Sequence, residues 1–170
     1  IEWDYLEEWC SCLRKQGYHL TFQVLTASCW GVPQDRRRLI IVGCLDHPIT
    51  IDEPFMLEGA RPPIGPCLDF EDGLWRSIRS MPAHKPKAKA RAQHAHRMFK
   101  GGPCWGQHVS HRGAWAKSVA VPANTITTQN QHYLVADGAY RLWTVPETLG
   151  AMGLRRDYLD GVDRTVALIM

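Results

Sequence analysis

Three consecutive arginines lie between a rigid turn and an apolar run. Residues 31–38 read Gly-Val-Pro-Gln-Asp-Arg-Arg-Arg, and residues 39–43 read Leu-Ile-Ile-Val-Gly. Proline fixes its own φ angle, and a guanidinium is a permanently charged planar fork that suits phosphates, carboxylates and base edges. The pattern indicates that a fixed loop aims guanidiniums at one of these groups. The alternative is that the arginines only cover the solvated edge of a strand.

Charge is distributed unevenly along the chain. The formal net charge is only +3, yet residues 73–136 contain no Asp or Glu, ten Lys or Arg and six of the eight histidines. A long acid-free basic segment is typical of a protein that binds a polyanion, and we expect nucleic acid. The alternative is a solvated loop region. The basic residues of this span are Arg76, Arg79, Lys85, Lys87, Lys89, Arg91, Arg97, Lys100, Arg112 and Lys117.

Composition places the chain among globular proteins. Its 170 residues are 45% hydrophobic and 22% charged, which predicts one domain, or one and a part, with a core. No apolar run approaches the ~20 residues of a membrane span, and no secretory leader is visible, so we expect no membrane partner. The six cysteines include no C-x-x-C pair, which favours a reducing, cytoplasmic compartment without disulfides. Because the chain begins with Ile1, we expect it to be a piece of a longer protein.

Periodicity predicts a helix and two strands in the first part of the chain. Apolar residues recur at helical spacing over residues 3–16, and Gly17 is a natural helix stop. Residues 18–25 alternate in polarity and are predicted to form a strand. Residues 39–44 are continuously apolar, so we expect a second strand that is buried on both faces. The arginine-bearing loop connects the two strands.

Regular patterns fade between residues 47 and 136, where proline is frequent. This composition predicts a separate small domain rich in loops, with short helices over residues 68–81 and 87–99.

A capping box predicts a further helix. Thr144 stands as its N-cap and Glu147 as its third residue, with Pro146 in the first turn, where a missing N–H does no harm. We expect the helix to end at Gly153.

Three segments resemble motifs of the DNA cytosine-5 methyltransferases. Residues 17–43 are similar to the segment that contains the family's Gly-Val-Pro-Gln-x-Arg-x-Arg motif. Residues 141–147, followed by 152–154 and 157–158, resemble the family's late motif R-x-L-T-x-x-E, Q/M-G-F and D-Y. Residues 122–128 resemble the Thr-Ile step that closes the family's target recognition domain. The matches come in family order, and the first and last of them flank a long basic segment, called the insert below. The chain therefore resembles the C-terminal part of such an enzyme.

The resemblance implies an α/β fold. Residues 1–46 would form the end of the catalytic domain, at the edge of an S-adenosylmethionine-dependent methyltransferase sheet, as an antiparallel strand pair with helices. Residues 47–136 would be the target recognition domain, a small irregular α+β domain inserted in that sheet. Residues 137–170 would return to the catalytic domain and stop before the family's final motif.

Several family elements are missing from the chain. It contains no F-x-G-x-G loop for S-adenosyl-L-methionine, no Glu-Asn-Val motif and no Pro-Cys-Gln motif with the nucleophilic cysteine. Cys67 and Cys104 follow prolines but lack the glutamine. Gly150 and Ala151 replace the family's usual Arg-Leu. The resemblance therefore implies that the chain alone is inactive, has no cofactor-binding or metal-binding residues, and needs a catalytic half in cis or in trans.

The resemblance also implies a reaction. The target cytosine is flipped out of the duplex, a cysteine thiolate adds to C6, and C5 accepts the methyl group of S-adenosyl-L-methionine. Arg38 would bond the cytosine O2 and stabilise charge as the thiolate adds. Arg36 would have a structural or phosphate-binding role, and Gln34 would shape the loop. Arg37 is extra relative to the motif and receives no role.

Double-stranded DNA is the expected partner of the insert. Phosphate contacts are expected for lysines and base contacts for arginine and amide side chains. The candidates are Lys85, Lys87, Lys89, Arg91, Arg97, Arg112, Gln107, Gln129, Asn130 and Gln131, with Thr125 near the flipped nucleotide. We expect a cytoplasmic, nucleoid-associated protein.

Two alternatives stay open at this point. His94, His96, Cys104, His108 and His111 have a spacing that can build a zinc site, although histidines in a basic segment more often contact phosphates. The chain could also be a stand-alone DNA-binding module of the same fold without catalysis. The intact Gln-x-Arg-x-Arg motif favours the enzyme part, because a pure binder has no use for an arginine that reads O2.

Overall fold

The structure, a computed structural model, contains three small sheets among its described residues. They are an antiparallel two-stranded ribbon within residues 19–44, a short parallel pair that joins residues 34–35 to residues 123–124, and a five-stranded antiparallel sheet. The described residues are 4–54, 56, 60–81, 86–107, 116–126 and 132–161, with the backbone alone at residues 86, 87 and 107.

Helix α1 (Leu6–Lys15) is the first described element and confirms the predicted helix. Glu7 and Glu8 lie in its first turn and Arg14 and Lys15 in its last, which is the charge order that the helix dipole favours. Gly17 follows with a φ of +91°, where a side chain would be strained, so the chain turns into the next strand.

Strands β1 (His19–Thr26) and β3 (Arg37–Cys44) pair antiparallel, in a register from His19 opposite Cys44 to Thr26 opposite Arg37. Both strands were predicted. The expectation that residues 39–44 are buried on both faces was wrong, because β3 has β1 as its one partner among the described strands. Ile40 is 38% exposed, and on β1 Val24 is 51% exposed. An apolar run shows that a strand can be buried, but neighbouring strands decide whether it is.

A larger sheet has five strands: β4 (Arg76–Ser77), β5 (Cys104–Gln107), β6 (Ala116–Ser118), β8 (His132–Ala136) and β9 (Ala139–Leu142). Their order across the sheet is β4-β9-β8-β5-β6, and each neighbouring pair is antiparallel. The region that was expected to be irregular therefore contains a regular sheet. The expected domain boundary at residue 136 falls at the turn between the paired strands β8 and β9. The division into domains stays a prediction.

Alternate residues of the central strands serve two separate cores. Tyr133 and Val135 of β8 pack with Ala92 and Ala95 of helix α2 (Pro86–Met98), and Leu134 packs on the other face. That other core also contains Trp105, Trp143, Ile64, Leu68 and Ala123. The sheet is covered on both sides, as the period of two along a strand allows.

Helix α2 confirms the prediction over residues 87–99, but the helix predicted over residues 68–81 was wrong. A short 3-10 turn, Gly65–Cys67, precedes that segment, and the segment itself contains β4 and a second 3-10 turn, Ile78–Ser80. Gly73 has a φ of +87°, which no helical residue adopts, and it stands in the middle of that segment.

Helix α3 (Val145–Ala151) has the predicted capping box. The Thr144 hydroxyl accepts from the Glu147 N–H at 3.4 Å, and the Glu147 carboxylate accepts from the Thr144 N–H at 2.7 Å. Gly153 follows with a φ of +78°.

All six cysteines are free thiols. Among the described residues no helix has the length and apolar character that crossing a membrane requires.

Candidate functional site around residues 34–38 and 123–125

The loop between β1 and β3 is folded tightly by its own backbone. A 3-10 turn, Ala27–Trp30, leads into Gly31, whose φ of +83° reverses the chain. The Ala27 N–H donates to the Arg36 carbonyl at 2.9 Å, which closes the loop at its base. The Gly-Val-Pro sequence therefore forms the fixed turn that the sequence predicted.

Strand β2 (Gln34–Asp35) joins this loop to a distant part of the chain. It pairs parallel with β7 (Ala123–Asn124), and the Ala123 N–H donates to the Pro33 carbonyl at 2.9 Å. The Thr125 hydroxyl donates to the Asp35 carbonyl at 3.2 Å. The fold thus brings the Gln-x-Arg-x-Arg segment against the Thr-Ile segment, 90 residues away in sequence.

The carboxylate of Asp35 stabilises the junction, by which we mean the paired strands β2 and β7 and the residues that contact them. Its Oδ1 accepts from the Ser28 hydroxyl at 2.6 Å and from Arg61 Nη1 at 3.1 Å. The Arg61 and Asp35 side chains are 19% and 30% exposed, so solvent screens this ion pair only partly. One carboxylate therefore ties the 3-10 turn and the segment around residue 61 to β2.

Gln34 is buried within the same junction. It is 2% exposed, and its Nε2 has no hydrogen-bond partner among the described residues. An amide in that position fills the loop from the inside, and the shaping role expected of Gln34 stays a prediction. Asn124 Oδ1, on the neighbouring β7, accepts from Lys117 Nζ at 2.8 Å.

The arginines project from this fixed base. Arg36 is half-buried and Arg38 is exposed, and neither has a carboxylate partner within the described residues. Arg38 Nη1 donates to the Arg37 carbonyl at 2.7 Å, which leaves most of its guanidinium fork open. Arg37 and Arg38 are successive residues of β3, so their side chains leave opposite faces of the ribbon.

A buried ion pair between Arg141 and Glu147 stabilises residues 141–147, the start of the late motif. Arg141 donates from both terminal nitrogens to Glu147, at 2.6 and 2.8 Å, and their side chains are 2% and 1% exposed. The Asp69 N–H donates to the same carboxylate at 2.8 Å, and Arg141 donates back to the Asp69 carbonyl. Burial alone would raise the pKa of Glu147, but the bonds from Arg141, Thr144 and Asp69 outweigh it and hold the pKa below its ordinary value.

The guanidinium of Arg141 also packs on an aromatic ring. Its central carbon lies 5.1 Å from the ring centre of Trp75, whose indole N–H donates to the Phe70 carbonyl at 3.2 Å. Gly73 passes so close that a Cβ there would lie 2.7 Å from the Arg141 Cδ. The late motif therefore fixes the path of residues 69–75.

An aromatic stack lies in the core beside the junction. The ring of His132 is 1% exposed and stacks on Trp143 at 4.6 Å, with Trp105 at 5.9 Å on another side. Burial lowers the pKa of His132 to about 4, because the apolar surroundings disfavour the charged ring. His132 is therefore neutral at physiological pH and acts as a core residue.

Three of the expected DNA-binding residues whose side chains the structure describes lie on one helix. Lys89, Arg91 and Arg97 belong to α2, and Thr125 belongs to the junction. Others lie outside the described residues or have undescribed side chains: Lys85, Lys87, Gln107, Arg112, Gln129, Asn130 and Gln131. The zinc alternative rests partly on His108 and His111, which are also outside, and the described residues contain no group of three potential metal ligands.

The comparison with protein families falls on the junction loop and the ribbon. Residues 2–58 match the family of C-5 cytosine-specific DNA methylases. The match spans about a third of the chain, including β1, β2, β3 and the arginine loop. No curated protein and no solved structure matches the chain significantly. The cytosine-5 methylase resemblance is thereby supported for the first segment, and for residues 122–128 and 141–158 it stays a prediction.

Sequence reasoning missed the residues that hold this methylase-like loop in place. Ser28, Arg61 and Asp35 meet across the junction, and no local pattern links them. The pairing of Arg141 with Glu147 was also missed, although opposite charges six residues apart inside one conspicuous motif gave a signal for it.

Proposed function

We propose that this chain is the part of a DNA (cytosine-5) methyltransferase that binds duplex DNA, reads the target sequence and positions a flipped cytosine for methylation. The nucleophilic cysteine and the principal binding motifs for S-adenosyl-L-methionine belong to a catalytic half, linked to this chain or separate from it.

The junction of β2 with β7 is the observation that carries the proposal. Thr125 bonds the backbone of Asp35, so the end of the basic insert meets the base of the arginine loop. A DNA strand bound by the insert would therefore run past Arg36 and Arg38. The family match over residues 2–58 supports cytosine methylation as the chemistry at that place.

Arg38 is the residue to which we assign transition-state stabilisation. Its strand is fixed by β1, its side chain is exposed, and most of its donors are free of protein acceptors within the described residues. A fixed guanidinium that donates to the cytosine O2 would stabilise the charge that develops as a thiolate adds to C6. Arg36, at the closed base of the loop, would hold the loop or a phosphate.

The two cysteines that follow prolines do not fit the role of nucleophile. Burial raises the pKa of Cys104 to about 11, and burial likewise raises the pKa of Cys67 despite the nearby Arg156. A nucleophilic cysteine needs a lowered pKa, because the thiolate is the reactive form. This supports the expectation that neither Cys67 nor Cys104 is the nucleophile.

Methyl transfer in the reassembled enzyme tests the proposal. The chain is combined with a catalytic half that carries Pro-Cys-Gln, and transfer of labelled methyl groups to duplex DNA is measured. Arg38→Ala should lower the turnover rate about 100-fold or more, the size of effect that the loss of one such donor has. Arg37→Ala is the matched control, because it removes the same charge from the opposite face and should change the rate little.

Equal rates for the two variants would contradict the assignment of Arg38. Binding to a labelled mixed-sequence duplex, titrated with salt, tests the other part of the proposal. We expect affinity that falls steeply with salt, with a logarithmic slope of about −0.9 for each phosphate contacted. DNA binding that never supports methyl transfer would favour the stand-alone binding module instead.

A further inference from the structure

Helix α2 has two faces of opposite character. Ala92 and Ala95 are 0% exposed and pack, with Ala88 and Phe99, against the sheet and the turn at Ile78. Small side chains on this face bring the helix close to the sheet and fix its orientation. The opposite face is therefore presented outward from a rigid support.

The outward face forms one narrow stripe. Ala90, Gln93, His94 and Arg97 are all exposed, and they recur at intervals of three and four residues. Gln93 and Arg97 are the side-chain types that pair in two-point fashion with adenine and guanine, and an alanine methyl can meet the thymine methyl group. The small Ala90, one turn before Gln93 and His94, lets a partner approach closely.

Charge selects the kind of partner. The 13 residues of α2 include no carboxylate, and the surrounding sequence contains none from residue 73 to residue 136. Asp137 lies beyond the C-terminal end, where its N–H donates to the Gly101 carbonyl at 2.9 Å. Lys89 reaches from the flank to the Arg79 carbonyl at 2.8 Å, and Arg79 itself is exposed beside the helix. Cations thus flank the polar stripe, as phosphate backbones flank the base edges of a groove.

The dimensions also fit. A helix of 13 residues is about 20 Å long and 10–12 Å across with its side chains, and the major groove is about 12 Å wide.

We propose that α2 enters the major groove of duplex DNA, with Gln93 and Arg97 reading base edges and Arg79 contacting a phosphate. The inference rests on the DNA binding of the proposed function and adds the element that reads the sequence.

The test is selection of bound sequences from a randomised duplex library by the full chain, followed by competition between selected and scrambled duplexes. Arg97→Lys keeps the charge but loses the planar fork, so it should retain affinity for scrambled DNA and lose about 10-fold preference at a guanine. Gln93→Ala should relax the preference at a neighbouring base pair. Arg79→Ala is the contrasting variant, and it should weaken binding to all duplexes alike and reduce the salt slope by about 1.

The outcomes separate the two proposals. Absence of binding to any duplex by the unmodified chain removes the proposed function together with the helix assignment. Binding with unchanged sequence preference in both Arg97→Lys and Gln93→Ala overturns the helix assignment alone. Circular dichroism of each variant verifies that α2 remains folded, which the exposure of all three side chains leads us to expect.

Discussion

Removing one partner of the Arg141–Glu147 pair should destabilise this protein more than any surface change. The Glu147 side chain is only 1% exposed. Arg141→Leu leaves its carboxylate with the N–H groups of Asp69 and Thr144 as hydrogen-bond donors but with no opposite charge. It also removes the cation from the Trp75 ring and the bond to the Asp69 carbonyl.

The expected loss is about 3–5 kcal/mol, the range found when one member of a buried ion pair is removed. Whole domains have unfolding free energies of about 5–15 kcal/mol, so the loss is a large part of the total. Arg155→Leu is the matched control. Its partner Asp157 is 3.5 Å away and both side chains are more than half exposed, so that pair should contribute at most about 1 kcal/mol.

Urea unfolding followed by tryptophan fluorescence measures both variants. Adding Glu147→Gln to Arg141→Leu should recover part of the stability, because the neutral amide still accepts a hydrogen bond and no longer needs a counter-charge. The pKa of Glu147 is lowered in the fold, so the pair's contribution is complete above the ordinary carboxyl pKa and is lost as the pH falls through the lowered value. Similar losses for Arg141→Leu and Arg155→Leu would refute the reasoning.

Two further predictions concern the core and the turn beside it. The pKa of His132 is about 4 in the folded protein and about 6.5 in the unfolded chain, so the unfolded chain takes up a proton first as the pH falls. The contribution of neutral His132 to the free energy of unfolding should therefore be fully present above about pH 6.5 and fall by about 3 kcal/mol toward pH 4. His132→Phe should remove that fall in urea midpoints, and an unchanged pH slope would count against it. Gly73→Ala should cost about 1–3 kcal/mol more than Gly161→Ala in the same assay. Both glycines have a φ near +85°, but among the described residues only a Cβ at Gly73 would meet a neighbour, the Arg141 side chain. Equal losses would show that this contact is not tight.

Local patterns were enough for the elements that depend on nearby residues. The helical spacing before Gly17, the alternation in β1 and the capping box at Thr144 each involve residues within one or two turns of each other. Backbone propensity and hydrogen bonds between nearby residues are enough to form these elements, so they could be predicted from the sequence. The helix predicted over residues 68–81 does not form, because Gly73 has a φ of +87° in the middle of that segment and Arg141 bonds the Asp69 carbonyl at its start.

The sequence by itself determined the arginine loop, the acid-free basic span and the resemblance to cytosine-5 methylases, because residue type, order and charge are properties of the chain. The tertiary structure decided which distant residues meet: Asp35 with Arg61 and Thr125, Arg141 with Asp69, and the alanine face of α2 with the sheet. It also decided that the apolar strand β3 stays partly exposed. Pairings across 26 to 90 residues depend on loop closure and on competition among many partners, and neither is encoded in a local pattern.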